Sequence, residues 1–201
     1  MKVLGLTGGI ACGKSTISLT LRELGAVIVD GDVLSRELTA DGGLALSAIR
    51  EAFGAGVFRP DGTLDRRALG AVVFSDDTAR ERLDRIMQPL LRRLILRDIA
   101  AARDSGAKVC VLDMPLLYEK GLDMLCDRVW CAVLPRETQI ERLMARDGFT
   151  REAAEARLRS QLPTAEKAAR ADVVIDTSGT IRYTKECVMA LYTKEIGDTA
   201  D

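Results

Sequence analysis

Gly8-Gly9-Ile10-Ala11-Cys12-Gly13-Lys14-Ser15 matches the pattern G-x-x-x-x-G-K-[ST] at every fixed position. The octapeptide follows an apolar run, Val3-Leu4-Gly5-Leu6-Thr7, and precedes a stretch with Ile17, Leu21 and Leu24 on one helical face. Strand, glycine loop and helix in that order are the setting in which the pattern binds phosphate. Gly8 and Gly13 permit backbone angles and close approach that a side chain would block. The N–H groups from about Gly9 to Ser15 are expected to point inward as an anion nest at a helix N-terminus. Lys14 places a point charge against the β- and γ-phosphates. The Ser15 hydroxyl is a candidate ligand for Mg²⁺, and Thr16 a candidate α-phosphate contact. Gly8, Gly9, Ala11, Cys12, Gly13, Lys14, Ser15 and Thr16 are therefore the expected ATP-binding set.

Outward from the loop, four further apolar runs read as buried strands: Ala26–Asp30, Lys108–Asp113, Arg128–Leu134 and Ala171–Asp176. With Val3–Thr7 they make five. They are short and nearly continuous, as in a parallel sheet covered on both faces, with helical patterns between them. The expectation is an α/β fold. Three runs end in aspartate. In open α/β sheets the ligand crevice lies outside the carboxyl ends of the strands, so Asp30 and Asp113 are candidates for chemistry. Asp176 reads as a cap of the following turn.

Between the second and third runs the chain is almost wholly helical. Ser75-Asp76-Asp77 reads as an N-cap with acidic residues in the first turn. Leu83, Ile86, Met87, Leu90, Leu91, Leu94 and Ile95 then form an apolar face, and Pro89 should kink or divide the helix. The segment is either a substrate-binding subdomain or a helical elaboration of the core. After the fourth run, Ile140, Leu143 and Met144 share a helix face, Gly148 breaks the helix, and Thr150 caps an alanine-rich one. Arg142, Arg146, Arg151, Arg157 and Arg159 fall in this hairpin, and residues 197–201 should be frayed.

Composition narrows the chemistry. The 201 residues suit one domain with a sizeable core, and a net charge of −1 gives no electrostatic case for nucleic acid or membrane. The five cysteines include no C-x-x-C pair, as expected of reduced thiols in the cytoplasm. The N-terminus lacks a signal-peptide pattern and no run approaches a membrane span. The chain has no histidine, so a general base must be a carboxylate, lysine, tyrosine or cysteine. It also has no asparagine, so the base-reading Asn-Lys-x-Asp element of GTPases is missing. A small-metabolite kinase fits this size and motif set better than a motor ATPase.

Asp32, next to Asp30 across Gly31, is the candidate to orient and deprotonate an acceptor hydroxyl. Asp113 ends an apolar strand as a Walker B aspartate does; it holds Mg²⁺, directly or through water, or it binds the acceptor. Pro115 fixes the exit of that strand, and Asp30, Asp32, Asp113, Pro115 and Leu116 form the expected acceptor side. Arg142 and Arg146, one turn apart, are candidates to stabilise the transferring phosphoryl group. Cys12 is either an oxidation-sensitive thiol shielded by ATP, its pKa lowered at a helix N-terminus, or a small filler.

These residues resemble the dephospho-CoA kinase family over nearly the whole chain. The likeness is carried by Gly5-Leu6-Thr7-Gly8-Gly9-Ile10, Val29-Asp30-Gly31-Asp32 and Asp113-Met114-Pro115-Leu116-Leu117-Tyr118-Glu119. It continues in Pro135-Arg136-Glu137-Thr138-Gln139, Arg142 to Arg146, Gln161-Leu162-Pro163, Glu166-Lys167 and Ala171 to Asp176. It implies a P-loop NTPase three-layer fold with a five-stranded parallel sheet. The nucleotide core would be about 1–34, 106–142 and 164–201, a helical CoA-binding insertion about 35–105 and a lid about 143–163. It implies phosphorylation of the ribose 3′-hydroxyl of dephospho-CoA by ATP with Mg²⁺; separately, a cytoplasmic monomer or weak homo-oligomer is expected. The likeness further implies phosphate binding by Ala11 to Thr16, an acceptor-side role for Asp32, and a lid role for Arg142 and Arg146. Where the family commonly has His-Pro, Asp-Ala-Asp and Asn-Ser-Gly, this chain has Gln88-Pro89, Asp30-Gly31-Asp32 and Thr177-Ser178-Gly179. Two other readings stand beside it: a kinase for a nucleoside monophosphate, and a nucleotide-binding switch without phosphotransfer.

Overall fold

In the computed structural model, residues 1–197 are described. The five apolar runs form one sheet in the order β2-β3-β1-β4-β5. Its strands are β1 (Lys2–Gly8), β2 (Val27–Asp30), β3 (Val109–Asp113), β4 (Arg128–Val133) and β5 (Val173–Asp176). β1 pairs in parallel with β3 and β4, and β4 in parallel with β5. Val3 to Gly8 are buried without interruption, which is why the run does not alternate. The registers Leu6↔Asp113, Gly8↔Ala132 and Val133↔Asp176 bring the carboxyl ends of four strands to one edge.

Helix α1 (Lys14–Glu23) lies against α9 (Ile181–Gly197). Ile17 and Leu21 from α1 join Leu4, Leu6, Val111, Trp130 and Val188 in a core cluster, most of its members fully buried. The other helices are α2 (Gly31–Leu38), α3 (Leu46–Phe53), α4 (Arg66–Ser75), α5 (Asp77–Asp104), α6 (Arg136–Asp147), α7 (Arg151–Arg159) and α8 (Thr164–Arg170). Contacts divide the chain into one unit of residues 1–29 and 99–201 and another of 30–98. In the second unit Leu34, Leu38, Ile49, Leu69, Leu91 and Ile95 are buried. There the Asp65 carboxylate caps α4, accepting from the N–H groups of Arg67 and Ala68.

At several positions the structure departs from the expected local pattern. Of the two outcomes expected at Pro89, a kink or a division, division does not occur: α5 continues through it as one helix of 28 residues. Proline removes a single N–H, and the long apolar face outweighs that loss. Ser75 does not cap α5 but ends α4, its hydroxyl donating to the carbonyls of Ala71 and Val72. Asp76 does the capping, its Oδ1 accepting from Thr78 N at 2.8 Å. Met144 is largely exposed while Ile140 and Leu143 are buried, because it falls at the margin of the α6 face. Gly197 is the last residue of α9, and the remainder of the expected frayed segment, 198–201, lies outside the described residues. Gly148 ends α6 at φ 69°, and Thr150 caps α7 through Ala153 N, as expected.

Candidate active site

The loop between β1 and α1 is shaped by backbone that few residues tolerate. Ala11 holds φ 61°, a left-handed angle rare for a side-chain-bearing residue, and Gly13 holds φ 71° as the N-cap of α1. A Cβ on Gly9 would overlap the Thr164 hydroxyl and stand 2.8 Å from Gln139 Oε1, so a side chain there would force those neighbours to shift. The side chains of Ile10 and Ala11 rest on a small cluster of Ile140, Leu143 and Ala154, which seats α6 and α7 beside the loop.

The inward N–H groups need one revision. Cys12 N donates to the Gly9 carbonyl at 3.1 Å, closing a tight turn rather than facing outward. The Cys12 thiol is revised too: it is buried at 1% exposure, and burial pushes it from its ordinary 9.0 up to about 11. Desolvation disfavours the thiolate, which supports the small-filler reading.

Lys14 pairs with Asp113: its Nζ meets Asp113 Oδ1, and the carboxylate side chain is only 6% exposed. The glycine-loop lysine and the strand-end aspartate are thereby brought together. Ser15 lies exposed at the start of α1 and lines a cavity of about 420 Å³ with Ala11, Gly13, Arg142 and Arg146. Arg142 reaches back to the loop, donating to the carbonyls of Ala11 at 3.5 Å and Thr177 at 3.3 Å. Arg146 makes two 2.8 Å hydrogen bonds to Asp147 and holds that carboxyl below the usual carboxylate range. Of the other hairpin arginines, Arg151 pairs with Glu137, Arg159 with Glu155, and Arg157 lies over the Phe149 ring. Gly9 and Ile10 also border a second cavity, of about 720 Å³, walled by Pro135, Leu158, Leu162 and Pro163.

Asp30 and Asp32 open the second unit. Asp30 caps α2, its Oδ1 accepting from Asp32 N at 2.9 Å and Val33 N at 3.1 Å. Asp32 is exposed in the first turn of that helix. Asp176 caps its turn through Ser178 N at 2.8 Å, as read from the sequence. The Pro115 carbonyl is occupied, accepting from Thr7 Oγ1 and Lys167 Nζ, whereas Leu116 follows it in the turn after β3. Gln88 is exposed on α5.

Several contributors carried no readable signal. Thr177 is buried, and its hydroxyl is within hydrogen-bonding distance of the carbonyls of Cys12 at 2.9 Å and Val133 at 3.1 Å, tying the loop to β4. Gln139, 3% exposed, donates to Leu134 O. Lys167, fully buried, meets Glu119 at 2.8 Å. Each partner lies far along the chain from Thr177 or Lys167, so spacing could not show the pairs; only the family likeness marked Gln139, Glu119 and Lys167 at all.

The donor chemistry fits ATP and Mg²⁺. The glycine cradle, Lys14 and Arg142 present positive charge and close-approach backbone to an anion. Ser15 and Asp113 offer hard oxygens, and Mg²⁺ is usually bound by one or two protein oxygens together with substrate phosphates.

Comparison with known proteins agrees with this chemistry. The family described as dephospho-CoA kinase matches residues 2–182. A dephospho-CoA kinase of Geobacter sulfurreducens is 49% identical over 180 residues, covering 90% of this chain and 91% of that protein. The crystal structure of TT1252 from Thermus thermophilus superposes with a TM-score of 0.83 at 32% identity, covering 96% of this chain and 97% of that one. The structure of dephospho-CoA kinase from Campylobacter jejuni gives a TM-score of 0.73 at 28% identity, with 98% of each chain covered.

Proposed function

The chain belongs to the dephospho-CoA kinase family, and from that premise we propose that it transfers the γ-phosphoryl group of ATP to the ribose 3′-hydroxyl of dephospho-CoA. The products are CoA and ADP, and the reaction is the last step of CoA synthesis. The single observation that carries the assignment of roles is the meeting of Lys14 and Asp113 beside a glycine loop with left-handed backbone at Ala11 and Gly13.

Phosphoryl transfer asks little covalent chemistry of a protein; it asks for alignment and for positive charge where negative charge develops. The backbone of Gly9 to Ser15, apart from the Cys12 N–H that closes the turn onto Gly9, cradles the phosphates. Lys14 turns its ammonium from Asp113 to the β- and γ-phosphates when nucleotide binds. Arg142, held between Ala11 and Thr177, borders the nucleotide, and Arg146 exchanges Asp147 for the transferring group. Asp32 orients the ribose hydroxyl and accepts its proton, with Asp30 shaping the turn that presents it. Mg²⁺, when bound, neutralises the β- and γ-oxygens, and the Ser15 hydroxyl and Asp113 carboxylate are the groups that would hold it. Asp113, Pro115 and Leu116 border the acceptor, the insertion of about 35–105 grips the CoA portion, and residues 143–163 act as the lid.

We place the reaction in the cytoplasm and assign it to a monomer or weak homo-oligomer. All five cysteines are free thiols, in keeping with a reducing compartment. No helix among the described residues is long and apolar enough to cross a membrane. A coupled ADP-release assay over dephospho-CoA, AMP and CMP tests the reading. ADP release that requires dephospho-CoA supports it; release driven better by AMP or CMP, or by no acceptor, overturns it.

A further inference from the structure

Lys167, on α8, is fully buried, yet a lysine is rarely found so unless it is paired. Its Nζ donates to the Pro115 carbonyl at 2.7 Å and meets Glu119 Oε1 at 2.8 Å. The same Pro115 carbonyl accepts from Thr7 Oγ1 at 3.0 Å. The same Glu119 Oε1 accepts from Leu162 N at 3.0 Å. One ammonium thus joins the exit of β3, the turn that follows it, and the stretch 161–163 that leads into α8.

The place of these bonds in the chain gives them meaning. Pro115 stands two residues after Asp113, the partner of Lys14. Met114 N donates to Leu6 O at 2.9 Å, and the proline ring fixes its own φ. With two donors on the Pro115 carbonyl, the 113–115 backbone has little freedom left. Leu162, at the other end of the network, walls the 720 Å³ cavity beside Gly9. A buried ion pair is weak evidence for stability, because an apolar side chain of similar volume often serves stability as well or better. Retention of charge here is therefore accounted for by geometry.

We propose that Lys167 is a positioning residue for phosphoryl transfer. It holds the backbone after Asp113 so that the carboxylate stays fixed beside the glycine loop when Lys14 turns to the nucleotide, and through Glu119 it keeps the 161–163 stretch in register with the same strand. The proposal rests on the placement of Lys14 and Asp113 in the nucleotide site. A Lys14→Met control separates the two: normal turnover in that variant would remove the site assignment, whatever happens at position 167.

The test uses Lys167→Met, Glu119→Gln and the double variant, with kcat, KM for each substrate and Tm measured for each. Lys167→Met leaves the Glu119 carboxylate buried without its ammonium, so Tm falls. Its kcat falls roughly 30-fold, within the range set by misplacement of a catalytic group, while KM for ATP stays within about threefold. The double variant removes the orphaned charge and regains most of the Tm, but not the kcat, because the Pro115 carbonyl still lacks its Lys167 donor and keeps only Thr7. The ¹³Cγ resonance of Asp113 moves in both. Recovery of kcat together with Tm in the double variant, or a folded Lys167→Met enzyme with normal kcat, overturns the proposal. Should the lysine variants not fold, Thr7→Val removes the other donor on the same carbonyl. A drop in kcat of about fivefold or more is then expected at unchanged KM, and an unchanged kcat counts against the proposal.

Discussion

Lys14 Nζ and Asp113 Oδ1 form an ion pair between the glycine loop and the end of β3, with both side chains largely withdrawn from solvent. In a site poor in water such charges act strongly on a bound anion, and neither can be removed without exposing the other's cost.

Lys14→Met is therefore expected to lower kcat by at least ~10²-fold, the scale seen when a preorganised charge-stabilising donor is lost. It also leaves Asp113 buried without its ammonium, so thermal denaturation should show a lower Tm. Steady-state ADP release and a melting curve check both. A loss of turnover under about threefold would contradict the assignment.

Asp32→Asn keeps the size of an exposed side chain while removing its basicity. We expect kcat to fall by roughly 10²-fold, the contribution of a positioned general base, with nucleotide Kd changed little. Calorimetry for Kd and initial rates for kcat make the comparison. An unchanged kcat would take Asp32 out of the catalytic role.

Arg142 and Arg146 should separate. Arg142 is anchored on the carbonyls of Ala11 and Thr177, so Arg142→Ala is expected to weaken ATP binding by ~10-fold through loss of a charge-assisted contact. Arg146 is tied to Asp147, and Arg146→Ala should act mainly on kcat. Asp147→Ala, which releases Arg146, should leave kcat intact or raise it. Matched titrations and initial rates on the three variants test this pattern.

Three desolvated thiols, Cys12 and Cys131 buried and Cys126 half-buried, predict an alkaline limit. Burial raises Cys12 to about 11 and Cys126 and Cys131 to about 12, each from an ordinary 9.0. The unfolded chain therefore loses these protons first. The stability they contribute is whole below pH 9 and is lost as pH rises from about 9 towards 11–12. Each group steepens the fall by up to ~1.4 kcal/mol per pH unit. Denaturant midpoints from pH 7 to 10.5 should decline from about pH 9, and Cys131→Ala should soften the decline. For the same reason Cys12 in the folded protein should resist iodoacetamide at pH 8.

How much of this was legible in the sequence depended on how local each cause was. The five strands, the loop geometry at Gly13, the Gly148 stop, and the Thr150 and Asp176 caps all arise from residues within a few positions of one another. Lys14 and Asp113 were each marked by their place at the head of a helix and the end of a strand. The errors had tertiary causes. Cys12 is desolvated by a core that its neighbours in sequence do not reveal. The Lys167–Glu119–Pro115 network joins three separated segments, and no periodicity records such an arrangement.

The central claim is that a phosphoryl group leaves ATP for the ribose 3′-hydroxyl of dephospho-CoA. Its most direct measurement is ³¹P NMR of the reaction mixture with purified protein, ATP, Mg²⁺ and dephospho-CoA. We expect a new 3′-phosphomonoester resonance to grow in step with ADP. ADP formed without that resonance, or phosphorylation of AMP in preference to dephospho-CoA, would contradict the account.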